Sequence, residues 1–266
     1  MRRIVVIATA LAVLVGAVTA YAATSGLNTY GAKLSFSPNK AGSVKAPAAI
    51  GFTETYTANG TGGNRTAPLT DIKTTVYGGV SNGKSFPTCS FTKISNAKSD
   101  AGCSKGALIA TGSIKAILGP ISATSTSAPG QLSCNPLLHV WNAGQGKVVF
   151  FFVDQAPNNL CANGAITTGT VGPYTGLVKK VGKNLVLDTP IPSYVSFPLS
   201  GVEGSLTNLT LHYLKLTKTV NGKTVPYSGS TGCKGGKRPY SVTFTAESAP
   251  GGTTQSSTVT GTQKCS

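Results

Sequence analysis

The segment Lys147-Val148-Val149-Phe150-Phe151-Phe152-Val153 decides the fold. From Val148 to Val153 every residue is apolar, so both faces of an extended chain would be apolar, which predicts a central strand covered on both sides. Leu137 to Trp141 lies just upstream and completes a hairpin around the turn Asn142 to Gly146.

Outward from this hairpin, short β-rich runs recur between Gly, Pro, Asn and Ser. Ala32 to Ser37, Ile50 to Thr57 and Asp71 to Tyr77 come first. Ser81-Asn82-Gly83-Lys84 reads as a type I′ turn, because Asn-Gly accepts positive φ at both central positions. Ala107 to Leu118 is a longer run interrupted at Gly112, and Gly119 to Gly130 is a Ser/Thr/Pro-rich loop. Leu177 to Val181 and Asn184 to Asp188 meet at Gly182-Lys183, a type II′ turn. Pro190 to Pro198 reads as a connection or an edge. In Leu206 to Lys218 the face carrying Leu209, Leu211 and Tyr213 changes phase at Leu214 and Leu216, which a β-bulge near Tyr213-Leu214 would reconcile. Asn221-Gly222 is a second type I′ turn. Tyr240 to Ala246 and Thr253 to Thr260 form a last hairpin around Pro250-Gly251-Gly252, with Tyr240 opposite Thr260. This pattern predicts an all-β fold, specifically an immunoglobulin-like antiparallel β-sandwich stapled by disulfides. Residues 23–266 read as one domain, with the loop at 119–130 the one candidate boundary.

Composition points the same way. The 266 residues include 35 Thr, 26 Ser, 33 Gly and 15 Pro, a mixture poor in helix formers. It excludes a helical bundle, a coiled coil and a Rossmann-type enzyme. At 40% hydrophobic the chain can still bury a core.

Arg2 and Arg3 precede an uncharged apolar stretch, Ile4 to Ala20, and Ala20-Tyr21-Ala22 is an A-x-A-like cleavage signal. Residues 1–22 therefore read as a helical signal peptide. The alternative is a retained anchor, for which the apolar run falls short of the roughly 20 residues a spanning helix needs. The expected location is secreted, either extracellular or associated with the cell envelope. Without the leader, 21 basic residues stand against 7 acidic ones, a net charge of +14. That excess favours anionic cell-envelope polymers or polysaccharide as partners. Nucleic acid is not expected, and membrane contact is expected only through the leader if it is uncleaved. The densest basic groups are Lys179, Lys180, Lys183 and Lys234, Lys237, Arg238, and these are the candidate contacts for an anionic polymer. Neither group has the interleaved aromatics of a single-strand nucleic-acid platform.

All six cysteines follow the leader, and export implies that they pair. Six cysteines allow 15 connectivities. The last hairpin places Cys233 and Cys265 nearly opposite each other at its open end. Cys89 and Cys103 pair by proximity, which leaves Cys134–Cys161 to tie the ends of the Leu137 to Val153 hairpin. The alternative is free buried cysteines. There is no C-x-x-C, so neither a thioredoxin-like site nor a zinc ribbon is indicated.

Phe86-Pro87-Thr88-Cys89, Cys103-Ser104-Lys105-Gly106-Ala107 and Ile109-Ala110-Thr111-Gly112 together resemble a pattern in uncharacterised secreted β-rich proteins of actinobacterial type. Thr231-Gly232-Cys233, with Lys237, Tyr240 and Gln263-Lys264-Cys265, is similar to their C-terminal ends. The resemblance covers about a quarter of the chain. It implies export and a β-rich fold, and no activity or functional residue follows from it.

Catalytic signatures are sparse. Gly79-Val80-Ser81-Asn82-Gly83 matches G-x-S-x-G, and Asp188 and His212 follow in the hydrolase order. The motif needs a strand–turn–helix elbow, whereas Lys84-Ser85-Phe86-Pro87 follows here. Glycoside hydrolysis needs two facing carboxyl groups, and Asp188 and Glu203 are the closest such pair in this region. Asp188 reads better as a strand end and Glu203 as part of the Gly201 to Gly204 turn. Asp154 is the carboxylate most suited to a role, with a turn before Pro157 as its structural reading. His139 and His212, the two histidines, have no carboxylate at ligand spacing and read as strand residues, so neither a metal nor a cofactor is expected. Trp141, the single tryptophan, would stack on glycans if exposed and pack beside a disulfide if buried. The resulting expectation is a non-catalytic cell-envelope or extracellular binding or structural module. The alternatives are a hydrolase of unusual layout, using Asp154 or the Ser81 set, and a carbohydrate-binding module.

Overall fold

The computed structural model describes residues 19–20, 22–153, 161, 166 and 170–266. The expected leader helix and Asp154 lie outside these residues, apart from Thr19–Ala20, which forms a two-residue strand. Eleven long strands organise the chain. They are β1 (Asn28–Ser37), β2 (Gly51–Gly60), β3 (Leu69–Tyr77), β4 (Leu108–Pro120), β5 (Leu137–Gly144), β6 (Lys147–Val153), β7 (Tyr174–Val181), β8 (Asn184–Pro190), β9 (Val202–Tyr213), β10 (Lys237–Glu247) and β11 (Thr254–Lys264). They form one antiparallel sheet in the order β11-β10-β3-β8-β7-β6-β5-β4-β9-β2-β1, extended by short strands at Thr19–Ala20, Ala23–Thr24 and Leu132–Cys134. The two separate sheets of an immunoglobulin-like sandwich are thus replaced by one sheet curled into a near-barrel. Strands from before and after the 119–130 loop interleave in it, since β3 lies between β10 and β8.

β6 is the central strand that its composition predicts. Val148, Phe150 and Phe152 face the main core, while Val149 and Phe151 face a second cluster with Trp141, Ile94 and Cys89. The outer cover is α1 (Phe91–Ala97), whose first turn is capped when Lys93 N donates to Ser90 Oγ at 3.2 Å and whose Ile94 is fully buried. Cys89–Cys103 closes the loop that carries α1. The other bridges are Cys134–Cys161 and Cys233–Cys265, so all three follow the predicted connectivity.

The first and last long strands meet across the curl. Tyr30 of β1 stacks on Phe244 of β10, with centroids 4.5 Å apart, and Tyr56 of β2 meets the same ring edge-on at 5.4 Å. Gln263 of β11 completes the seam. Its Oε1 accepts from Phe36 N at 2.7 Å, and its Nε2 donates to Phe36 O at 3.4 Å. One side-chain amide thereby occupies both backbone groups of an edge residue that has no strand partner on that side. Gly261 is required nearby, because a Cβ there would lie 2.3 Å from the Tyr240 hydroxyl.

Several local expectations are corrected. In the last hairpin Ser241, not Tyr240, faces Thr260, because the turn closes with Glu247 opposite Thr254. Tyr240 shares the buried face of β10 with Val242 and Phe244. Asn82-Gly83 is not a hairpin turn. Asn82 has φ −115° and precedes a 3₁₀ turn at Gly83–Ser85, since Gly79–Ser81 pairs with Ser228–Ser230 instead of folding back. β9 ends at Tyr213, so no bulge is needed there, and its register shift falls between Leu206 and Asn208. Glu203 lies within β9, not in a turn. Gly182, at φ 58°, makes the β7–β8 turn as expected.

The seam yields a stability prediction. Gln263→Ala leaves Phe36 N and O without protein partners and should cost about 1–2 kcal/mol in urea unfolding. An unchanged midpoint would show that the seam contributes nothing to stability.

Candidate anion-binding cleft

At one end of the near-barrel lies a cleft of about 710 Å³. Three pieces of chain build it: residues 80–85 after the short Gly79–Ser81 strand, the β5–β6 turn at 145–147, and the β7–β8 hairpin through Val178, Lys179, Lys180 and Leu185. The β5–β6 turn is set by positive φ at Gly144, Gln145 and Gly146. It is tied to β7 by a 2.6 Å hydrogen bond from Val178 N to Gly146 O. Asn142 and Tyr227 form the floor. Asn142, 1% exposed, donates through Nδ2 to Gly83 O at 2.9 Å and Pro87 O at 2.8 Å, and its Oδ1 accepts from Gly144 N at 3.2 Å and the Tyr227 hydroxyl at 3.4 Å. Asn82 is anchored in turn by donation to Pro226 O at 2.8 Å. The wall segment is therefore held at its start by the ladder with Ser228–Ser230 and beyond it by side-chain-to-backbone bonds.

Four lysines line the cleft, Lys84, Lys147, Lys179 and Lys180, and among the described residues no carboxylate does. Lys179 is partly engaged, 3.6 Å from Asp188, which also takes Lys73 at 3.4 Å. Lys84, Lys147 and Lys180 form no ion pair with any described residue. Other described acidic residues sit outside the cleft lining. Glu203 lies 2.7 Å from Arg65, both buried, and Arg65 also donates to Pro120 O and Ala123 O. Asp100 Oδ2 is 2.6 Å from His139 Nδ1 and accepts from Trp141 Nε1 at 3.0 Å. Burial and the neighbouring Asp188 hold the Asp71 carboxyl above its usual range. Glu54 is sealed in the core.

Below the cleft the barrel narrows. A void of about 40 Å³, lined by Phe52, Ile109, Val148 and Leu187, shares Ser81, Val178, Leu185 and Tyr227 with the cleft. Beyond it a void of about 30 Å³ touches Glu54, Tyr56, Thr74, Tyr174 and Tyr213. These spaces admit water at most, so a ligand stops at the cleft. Burial pushes Glu54 up to about 7, opposed by the hydroxyls of Tyr56 and Tyr213, and its Oε1 has no hydrogen-bond partner.

The sequence-predicted residues divide clearly. Lys179 and Lys180 line the cleft. Lys183 and Lys234 line a second depression of about 560 Å³. Lys237 is exposed at the start of β10, outside both. Arg238 is corrected: it is 0% exposed and cannot reach an external polymer. Strand alternation turns Lys237 out and Arg238 in. There its guanidinium lies 4.9 Å from the Phe36 ring centroid and donates to Ser230 Oγ at 2.7 Å and Lys40 O at 3.1 Å. Trp141 is also corrected as a glycan platform, being 5% exposed beneath α1 and the Cys89–Cys103 loop. Ser81 lines the cleft, but His212 contacts Thr53 on the outer surface and Asp188 pairs with lysines, so no Ser–His–Asp set assembles. Among the described residues no cluster of three metal-ligating side chains exists. Sequence reasoning missed Lys84, Lys147, Asn142 and Tyr227. Only Lys147 carried a local signal, as the charged residue that opens the all-apolar strand.

The buried Glu54 predicts a pH dependence. Between its ordinary value of 4.5 and about 7, the folded protein holds a proton that the unfolded chain has released. Its contribution is therefore fully favourable below that window and declines as pH rises through it. Relative to Glu54→Gln, the wild type should lose about 3 kcal/mol across the window in urea unfolding. Parallel curves for the two proteins would show that burial does not perturb this carboxyl.

No family model, curated protein or solved structure matches this chain, so its functional reading rests on the lysine cleft itself.

Proposed function

We propose that the protein is an exported, non-catalytic binding module of the cell envelope or extracellular space, whose cleft holds anionic polymer. The observation that carries this reading is a cleft of about 710 Å³ lined by four lysines and, among the described residues, no carboxylate. Such a concentration of one sign in a concave site focuses field and attracts anions. The cleft is of ligand-binding size, and its walls supply a hydroxyl and an amide from Ser85 and Gln145. Lysine point charges suit repeated anionic groups, whereas arginine forks suit planar bidentate partners.

Export is supported by the leader pattern in the sequence and by three disulfides, which persist in oxidising compartments. Among the described residues no helix is long and apolar enough to cross a membrane. A hydrolytic role for Ser81 lacks support, because no histidine or carboxylate joins it in the cleft.

The test is retention on fractionated envelope material at low and high salt, with the wild type and a Lys84→Ala/Lys147→Ala/Lys180→Ala variant. The wild type should be retained at low salt and released at high salt, and the triple variant should not be retained. Equal retention of both proteins, or none at low salt, would overturn the reading.

A further inference from the structure

The cleft is not the only basic concavity. A second depression, of about 560 Å³, lies against β3, β8, β10 and β11 and is lined by Lys183, Lys234, Tyr77, Asn184 and a row of threonines. Among the described residues it too has no carboxylate in its lining, and neither Lys183 nor Lys234 forms an ion pair with a described residue.

Both concavities abut the same β7–β8 turn. Lys180 and Leu185, which face each other across the hairpin, line the cleft, and Lys183 and Asn184 line the second depression. The wall between them is therefore the turn Val181-Gly182-Lys183-Asn184, and adjacent residues serve opposite sides of it. A compact anion fills one concavity. A linear chain of anions can cross the turn and fill both.

We infer that the cleft and the depression form one tract for a linear polymer of closely spaced phosphates, running over the β7–β8 turn. This rests on the cleft reading above and deepens it. Five lysines free of ion pairs with described residues mark the tract: Lys84, Lys147 and Lys180 on one side, Lys183 and Lys234 on the other. Phosphate is the anion chosen because the charged donors are all ammonium groups, and lysine binds phosphate as a compact point charge. Among the described residues no arginine lines either concavity to offer the planar fork that takes carboxylate and phosphate alike.

The test is calorimetric titration of the protein with inorganic tripolyphosphate, with long-chain inorganic polyphosphate and with polygalacturonate, over a range of salt. Tripolyphosphate should bind, and Lys84→Ala/Lys147→Ala/Lys180→Ala should abolish its binding. Long-chain polyphosphate should bind on the order of tenfold tighter or more, because the second contact becomes intramolecular. Its salt dependence should be steeper by about 0.7 in logarithmic slope for each added phosphate contact. Lys183→Ala/Lys234→Ala should remove that gain and leave tripolyphosphate binding intact, whereas Lys215→Ala/Lys218→Ala, at exposed lysines outside both concavities, should change neither. If the gain with chain length is absent, or survives in Lys183→Ala/Lys234→Ala, the tract is wrong and the cleft reading stands. If tripolyphosphate binding is indifferent to the three cleft lysines, both readings fall. Polygalacturonate binding as tight as long-chain polyphosphate would overturn the assignment to phosphate.

Discussion

A sheet of eleven long strands has two edges, and each unpaired edge invites pairing with another chain. Here the edges are brought together, so the interior core forms between opposite walls of a single curled sheet. The seam depends on residues that supply what a backbone ladder would otherwise provide: the Gln263 amide on Phe36, and the Tyr30–Phe244 stack beneath it. The Cys233–Cys265 bridge joins the end of β11 to the chain just before β10. The cleft follows from this closure, because a curled sheet has an open end, and at that end the turns of β5–β6 and β7–β8 become its walls.

The placement of charge follows the same geometry. Four acidic or basic side chains are drawn inside. Arg65 and Glu203 satisfy each other. Glu54 is held in the core among tyrosines. Arg238, with no carboxylate beside it among the described residues, is pulled down to about 10 by burial and rests on Phe36. A chain with only seven acidic residues can spare few for its surface, and internalising Glu54 and Glu203 reduces that number further. Lys84, Lys147 and Lys180 at the open end have no ion-pair partner among the described residues, so the electrostatics of the surface is partly decided in the core.

Much of the architecture is legible in the residues. The doubly apolar run of β6 announces a strand covered on both faces, and Gly182 and Asn221-Gly222 mark their turns correctly. Cysteine spacing predicts the three bridges. What stays hidden is whatever depends on register or on distant parts of the chain. The β10–β11 register differs by one residue from the one that the turn predicts, and alternation along β10 turns Arg238 inward with Tyr240, Val242 and Phe244. Asn82-Gly83 has the composition of a hairpin turn, but its strand finds a partner at Ser228–Ser230, far along the chain. Closure of the sheet has no local signature. The cleft is hidden for the same reason: Lys84, Lys147 and Lys180 come from three separate stretches, and only the Lys179-Lys180 pair stands out as a basic group. Arg238, in an equally basic group, is enclosed instead.

The central claim is that curling one sheet leaves an unneutralised lysine cleft at its open end, and that this cleft is where anions bind. Amide hydrogen exchange of the intact, oxidised protein with and without saturating tripolyphosphate tests it most directly. Protection should rise at residues 80–85, 145–147 and 178–180 and leave the outer faces of β1, β2 and β9 unchanged. Protection spread evenly over lysine-bearing segments, or confined to segments away from the cleft, would contradict it.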